Sequence, residues 1–384
     1  CINCLYVSRE LVGLTSRKAS SVLVMAIAKE NPDVFDLTRQ LVEIPSVSFE
    51  EQQVVSFIEK RLASLGWLEL TRIGDNLVAR SNHGKDLRVL LGGHTDTVPP
   101  QGNAKSFVEG DVLWGIGSAD MKGGIASMLS LAENLPETAV DVTYVFYARE
   151  EVAHEHNGLL EINSSNPGLL DADLAILGEP TSGKIEAGCQ GTMRFVMTIM
   201  GERAHTARPW MGRNAIHRMH NALRAIDEYV TREPILEGCQ YREALQVVKV
   251  EGGIAGNVVP DSASLTINHR VAPDRDLAKA ENEIRSFLEP FMEEGDRLEL
   301  VDAAPPAKPG LSNPLLVSMI ENHDLEVKAK LGWTDVAFFD QRGIPAVNFG
   351  PGDATLAHTK NERVDKNSVE SCFKALKQML TLGV

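Results

Sequence analysis

Residues 87–100 read LRVLLGGHTDTVPP, an apolar run that ends in two glycines, a histidine and an acid. The apolar run predicts a buried strand, and residues two apart on a strand point to the same face. His94 and Asp96 are therefore expected to project together from the end of this strand. By itself the stretch fits either a polar turn or part of a catalytic site, so its meaning depends on the rest of the chain.

The size and charge of the chain limit the classes of protein to which it can belong. At 384 residues it exceeds the length that one hydrophobic core usually supports, so we expect two domains. The net charge of −15 disfavours nucleic acids and anionic membrane surfaces as partners, and we expect neither. Recognition of an anionic substrate would need local cationic groups.

The cysteines and the N-terminal segment show no sign of secretion or membrane insertion. Five scattered cysteines predict no disulfide framework, and the Cys1–Cys4 pair lacks the second pair that a zinc site would need. The apolar run within residues 1–24 is too short for a transmembrane helix, and no clear signal-peptide cleavage site follows it. We expect a poorly ordered extension over 1–24, folding from about Met25, and a reducing, cytoplasmic location.

Alternating helix and strand patterns predict an α/β fold. Between residue 33 and about residue 180, apolar strands at 87–91, 142–147 and 174–177 alternate with helical segments. This alternation is typical of a largely parallel central sheet.

After Thr181 the pattern changes to the order β-α-β-β-α-β, which indicates a ferredoxin-like α+β unit. The proline-rich stretch APPAKPG then leads back to α/β signals. We therefore predict a catalytic domain in two parts, 25–182 and 303–384, with an inserted domain at 183–302.

Polar residues recur just after the predicted strands of the α/β part. Glu150 and Glu151 follow the second strand, Glu179 follows the third, and His358 lies in a loop after a later strand. Asp120 immediately precedes a helix, where an aspartate is usually a cap. Taken singly, each residue has an ordinary structural explanation as a cap, an exposed acid or a solvated histidine.

Taken together, these residues predict a metal site. Ligand sites in open α/β sheets form in the crevice beyond the carboxyl ends of the strands. Two imidazoles among several carboxylates suit zinc or another borderline divalent ion better than calcium or magnesium. Since one zinc ion needs about four ligands, this many groups predicts two ions that share a carboxylate.

Six motifs resemble, in order and spacing, those of the di-zinc M20 aminoacylase and carboxypeptidase family: GGHTDTVP, GSADMKGG, AREE, LGEPT, GERAHTARP and LAHTKNERV. The likeness spans about residues 30–380. It implies a di-zinc exopeptidase-like catalytic domain and an inserted ferredoxin-like domain that acts in dimerisation and as a lid. The implied activity is hydrolysis of an amide bond in a small N-acyl amino acid, with two Zn²⁺ per subunit and Co²⁺ able to substitute.

The resemblance also implies the metal ligands. Asp120 would bridge the two zinc ions, His94 and Glu179 would complete one site, and Glu151 and His358 would complete the other.

Two further residues acquire roles close to the metals. Asp96 would accept a hydrogen bond from the second ring N–H of His94 and so fix the tautomer of the imidazole. Glu150 would be the general base, which takes a proton from water and returns it to the leaving amine. The family pattern also implies a cis peptide bond between Asp120 and Met121.

Three residues of the inserted domain complete the implied site. His205 would reach the other subunit of a homodimer and stabilise the oxyanion there, while Asn257 and Arg270 would contact substrate. Without the resemblance, the sequence would predict an ordinary surface histidine at His205. The substrate stays open between an N-succinyl amino acid, an N-acetyl amino acid and a dipeptide. A non-catalytic metal-binding relative is disfavoured because both Glu150 and His205 are present.

Overall fold

The computed structural model describes residues 33–383, so the predicted extension over 1–24 and the expected start of folding near Met25 lie outside the described residues. The first described helix begins at Val34, where the side chain of Asp33 accepts a hydrogen bond from the N–H of Asp36. The α-helices are, in chain order, α1 Val34–Val42, α2 Gln52–Leu62, α3 Gly123–Asn134, α4 Gly158–Ser165, α5 Ala215–Arg218, α6 His220–Asp227, α7 Leu277–Leu288, α8 Pro314–His323, α9 Val336–Gln341 and α10 Lys366–Leu382.

The strands form one large sheet and several smaller ones. They are, in chain order, β1 Glu69–Ile73, β2 Asn76–Arg80, β3 Arg88–His94, β4 Phe107–Glu109, β5 Val112–Trp114, β6 Asp141–Tyr147, β7 Leu174–Leu177, β8 Ile185–Ala187, β9 Gly191–Met200, β10 Ala204–His205, β11 Ile235–Leu236, β12 Cys239–Gln240, β13 Ala244–Gly252, β14 Val258–Val259, β15 Ser262–Val271, β16 Arg297–Ala304, β17 Val327–Ala329, β18 Ala346–Asn348 and β19 Arg363–Asp365.

The large sheet has eight strands in the order β1-β2-β6-β3-β7-β18-β8-β17. Its centre is parallel, because β3 pairs in parallel with β6 and β7, and β7 with β18. The hairpin β1–β2 joins β6 in antiparallel orientation at one edge. The largely parallel sheet predicted from the sequence is therefore confirmed.

Helices cover both faces of the large sheet. The side chains of β3 alternate between two cores, with Val89 and Leu91 in one and Leu90 in the other. The first core includes α1, α2, α3, α8 and α10, and the second includes α4 and α9. Every residue of β6 is buried, as expected for an inner strand of a sheet with helices on both faces.

The inserted segment forms a separate four-stranded antiparallel sheet in the order β13-β15-β9-β16. Alternate residues of β9 and β15 pack against α5, α6 and α7 on one face. The connection β9-α-β13-β15-α-β16 matches the predicted ferredoxin-like order.

The predicted bounds of the inserted domain, 183 and 302, stay a prediction, and the strand pairs next to them are as follows. Strand β8, at residues 185–187, still pairs within the large sheet, and β16 continues the small sheet as far as Ala304. Within residues 33–383, no helix is long and apolar enough to cross a membrane.

Candidate metal centre

The site lies where three neighbouring parallel strands of the large sheet end. His94 is the last residue of β3 and lies opposite Tyr147, the last residue of β6. Glu150 and Glu151 are the third and fourth residues after β6, and Glu179 is the second residue after β7. Because parallel strands end at the same sheet edge, these side chains meet there.

The first group of metal-ligating side chains contains His94, Asp120 and Glu179, whose ligand atoms all lie within 4.8 Å of one another. The Nε2 atom of His94 is 3.1 Å from Oδ1 of Asp120 and 3.9 Å from Oε1 of Glu179. All three side chains are buried or nearly so.

The second group contains Asp120, Glu151 and His358, again within 4.8 Å. The Nε2 atom of His358 is 2.9 Å from Oε1 of Glu151 and 3.5 Å from Oδ2 of Asp120. Asp120 thus turns one carboxylate oxygen towards His94 and the other towards His358, which is the arrangement expected of a bridging ligand.

Glu150 lies beside both groups. It forms a third cluster with His94 and Glu151, whose ligand atoms meet the same 4.8 Å limit. Burial raises the pKa of the Glu150 carboxyl well above its usual value, although the nearby His94 opposes the shift.

Asp96 contacts both His94 and the loop that carries Glu150. The Nδ1 atom of His94 is 3.1 Å from the backbone oxygen of Asp96 and 3.5 Å from its carboxylate. The carboxylate accepts hydrogen bonds from the N–H groups of Glu150 and Glu151, each at 3.1 Å, and from the hydroxyl of Ser48 at 2.8 Å. The role predicted for Asp96 at His94 stays a prediction, and its contact with the loop was not foreseen.

The donor set fits divalent cations. The Oε1 atom of Glu179 is buried and has no hydrogen-bond partner within the described part of the chain. Burial raises the pKa of Glu179 to about 8, whereas hydrogen bonds from His358 and His94 lower that of Asp120 despite burial. Leaving a buried carboxylate oxygen unpaired is unfavourable, and a bound cation would remove this penalty.

Two buried carboxylates that the sequence did not single out, those of Glu362 and Asp335, lie close to the metal-ligating groups. The Oε1 atom of Glu362 accepts hydrogen bonds from the N–H groups of Ala119 and Asp120, each at 3.1 Å. The carboxylate of Asp335 accepts hydrogen bonds from the side-chain amide of Asn157. The predicted cis peptide bond between Asp120 and Met121 is confirmed.

The structure does not bring the three predicted residues of the inserted domain into these clusters. His205 is exposed on β10, opposite Val258, and its Nδ1 accepts a hydrogen bond from the N–H of Ala207. Asn257 is exposed and Arg270 is half-buried on β15. Their predicted roles stay predictions.

Comparison with known sequences finds relatives over almost the whole chain. A candidate succinyl-diaminopimelate desuccinylase, DapE, of Mycobacterium tuberculosis is 46% identical over 91% of this chain and 98% of its own length. The succinyl-diaminopimelate desuccinylase of Corynebacterium glutamicum is 41% identical over 91% of this chain and 96% of its own length.

Comparison with solved structures finds the same fold at low identity. A tripeptidase of Staphylococcus aureus superimposes with a TM-score of 0.74 and 22% identity, covering 92% of this chain and 98% of its own. Residues 90–382 match the model of peptidase family M20/M25/M40. This chain is a member of that family.

Proposed function

We propose that this protein is a dinuclear metal-dependent amidohydrolase that cleaves N-succinyl-LL-2,6-diaminopimelate into succinate and diaminopimelate. The observation that carries the chemistry is the pair of donor groups that share Asp120, with the Glu150 carboxylate beside them. The substrate is proposed from the 46% and 41% identity to the two actinobacterial proteins.

The proposed ligands are Asp120 between the ions, His94 and Glu179 on one side, and Glu151 and His358 on the other. We propose zinc, with cobalt able to substitute, because imidazole and carboxylate together suit these ions. When bound, such a pair acidifies water and polarises a carbonyl group.

Glu150 is the proposed proton carrier. Its carboxylate takes a proton from the attacking water and delivers it to the leaving amine nitrogen, which completes hydrolysis of the amide.

Arg270 is the proposed partner of a substrate carboxylate. Its guanidinium is half-buried and has no ion pair or hydrogen bond within residues 33–383. Arginine binds carboxylates through two parallel hydrogen bonds, and a succinylated diaminopimelate carries several carboxylates. Asn257, in the loop before β14, is proposed to contact substrate from the same domain.

The substrate proposal is tested by measuring kcat/KM side by side for succinyl-diaminopimelate, acetylornithine and a dipeptide. We expect succinyl-diaminopimelate to be the best substrate. Equal or faster hydrolysis of acetylornithine or of the dipeptide would overturn this choice in favour of an acetylornithine deacetylase or an M20 dipeptidase.

We also propose a homodimer through the inserted domain. Strand β13 is an edge of the small sheet, and it exposes Val248 and Val250, with Ile254 exposed just beyond it. Unpaired edges and exposed apolar side chains favour association. Pairing of two β13 edges about a twofold axis would give the same contacts to both subunits and direct each His205 towards the partner's metal centre.

The dimer proposal is tested by mixing two inactive proteins, Glu150→Gln and His205→Ala. In a heterodimer, one site combines an intact Glu150 with an intact His205 from the other subunit. Random exchange at equal concentrations should therefore restore about a quarter of wild-type activity. Confirmed subunit exchange with no activity would show that His205 does not act across the dimer.

A further inference from the structure

Two carboxylates from distant parts of the chain hold three consecutive backbone N–H groups beside the metal centre. Asp96 accepts hydrogen bonds from Glu150 and Glu151, as described above. The preceding N–H, that of Arg149, donates to Oε1 of Glu51 at 3.2 Å. Residues 149–151 form the turn that carries the proposed base and one proposed metal ligand. A carboxylate accepts a hydrogen bond from each of its three backbone N–H groups.

The Arg149 backbone needs such a restraint. Its φ of 62° lies in the left-handed region, which residues with a side chain rarely adopt. Phe49 is in the same situation, with a φ of 74°, and its N–H donates to the same Oε1 atom of Glu51 at 3.0 Å. One carboxylate oxygen therefore ties together two left-handed residues that are 100 positions apart in the sequence.

Within the described residues, the Glu51 side chain has no ion pair and does not cap a helix. Its side chain is fully buried, its Oε2 atom has no hydrogen-bond partner within residues 33–383, and it does not cap α2, the helix that follows it. The guanidinium of Arg149 contacts the Glu161 carboxylate and the backbone oxygen of His156 rather than Glu51. A buried acid without an ion pair is unfavourable for folding, so its position calls for a functional explanation.

The segment that contains Glu51 is itself fixed to the end of β3. The Ser46 hydroxyl donates to the backbone oxygen of Thr95, and the Ser48 hydroxyl donates to the Asp96 carboxylate. Residues 46–51 therefore join the end of β3 to the turn at 149–151. Ser46 and Ser48 contact the residues that follow β3, and Glu51 contacts the turn.

We propose that Glu51 is a positioning residue, which holds the Arg149 turn so that the Glu150 and Glu151 carboxylates point into the metal centre. This inference rests on the proposed function of Glu150 and Glu151. What the turn requires from Glu51 is a hydrogen-bond acceptor at the right distance, and the negative charge itself is dispensable. Since the turn orients reacting groups but does not bind the substrate, its loss should lower kcat and leave KM nearly unchanged.

Two substitutions separate acceptor distance from charge. Glu51→Gln keeps an oxygen at the same reach and removes the charge. Glu51→Asp keeps the charge and withdraws the oxygens by about 1.5 Å, one carbon–carbon bond. Glu50→Gln, at the exposed neighbouring position, is the matched control.

At saturating zinc we expect Glu51→Asp to lower kcat by about 10–100-fold, the usual effect of losing a residue that orients a metal site. We expect kcat of Glu51→Gln to stay within about threefold of wild type, because the acceptor remains. Wild-type kcat in Glu51→Asp, or an equal loss in both variants, would overturn the proposal.

A second measurement does not depend on activity. Amide hydrogen exchange of residues 147–152 in the metal-free proteins should be about tenfold faster in Glu51→Asp than in wild type and Glu51→Gln. Exchange in strand β15 should be equal in all three. If wild type hydrolyses no N-acyl amino acid, the proposed function fails, and the exchange rates alone decide whether Glu51 holds the turn; equal rates at 147–152 would refute it.

Discussion

Two buried histidines lie in the two parts of this molecule, in opposite electrostatic surroundings. His94 ends β3 in the large sheet, and His269 lies within β15 of the small sheet. Carboxylates of Asp120, Asp96 and Glu179 surround His94 and raise its pKa well above the usual value, although burial alone would lower it. Burial lowers the pKa of His269 to about 4, and the guanidinium of Arg275 acts in the same direction.

Burial alone therefore does not identify a histidine as a metal ligand. His269 binds the backbone oxygen of Ala244 at 3.1 Å and lies 3.4 Å from Arg275, so its polar atoms already have partners. The carboxylates around His94 include a buried oxygen of Glu179 that has no hydrogen-bond partner within the described residues, and a bound cation would balance their charge. The excess of acids at one sheet edge distinguishes a metal centre from a satisfied core histidine.

The largest effect should come from the proton carrier of the His94 region. We predict that Glu150→Gln lowers kcat by at least about 10²–10⁴-fold, the usual contribution of a general acid–base group. Both metals should remain bound, because Glu150 is not among the proposed ligands. Glu155→Gln, which changes an exposed acid five residues later in the same connection between β6 and α4, should have no effect. A near-normal rate in Glu150→Gln, with zinc retained, would remove Glu150 from its role.

Replacing each histidine by alanine should affect different properties in the two regions: zinc binding and rate for His94, and folding stability for His269. His94→Ala should lose zinc and at least about 100-fold in rate, since even residues that only orient a ligand contribute up to that amount. His269→Ala should keep zinc and rate per folded molecule, but lose about 1–3 kcal/mol of unfolding free energy because the Ala244 oxygen loses its partner. Metal analysis and urea denaturation of both proteins provide the check. Full zinc occupancy in His94→Ala would contradict its assignment as a ligand.

A further effect leaves activity unchanged and concerns how folding stability depends on pH. Because the pKa of His269 is lower in the folded protein than the ordinary 6.5, its stabilisation is complete above pH 6.5 and is lost as pH falls towards 4. The loss should amount to about 3 kcal/mol relative to His269→Gln, which has no group to protonate there. Unfolding free energies of both proteins at pH 7, 6, 5 and 4 test this. Parallel pH profiles would show that His269 does not titrate on unfolding.

The sequence was sufficient to predict the sheet edge and the groups that lie along it. Apolar runs identified β3, β6 and β7, and the positions of His94, Glu151 and Glu179 after those runs follow from strand direction. The βαββαβ order of the inserted unit was equally accessible, because its strands alternate apolar and polar residues. The hairpin β1–β2 was missed, although a Gly74–Asp75 turn separates its two short strands.

The supporting carboxylates could not be predicted in the same way. Glu51 lies in the segment SFEEQ before α2, where an acid looks like a helix cap, and its actual partners are backbone N–H groups. Glu362 lies in the same motif as His358, but its contact with the Asp120 backbone spans 242 positions. Backbone groups carry no sequence signal, so these contacts become visible only when the chain is folded.

Asp120 is proposed to lie between two metal ions. The most direct test is anomalous diffraction from crystals grown with zinc, measured on both sides of the zinc absorption edge. We expect two zinc peaks per subunit about 3.5–4 Å apart, one beside His94 and Glu179 and the other beside Glu151 and His358. A single peak, or peaks that do not contact Asp120, would contradict it.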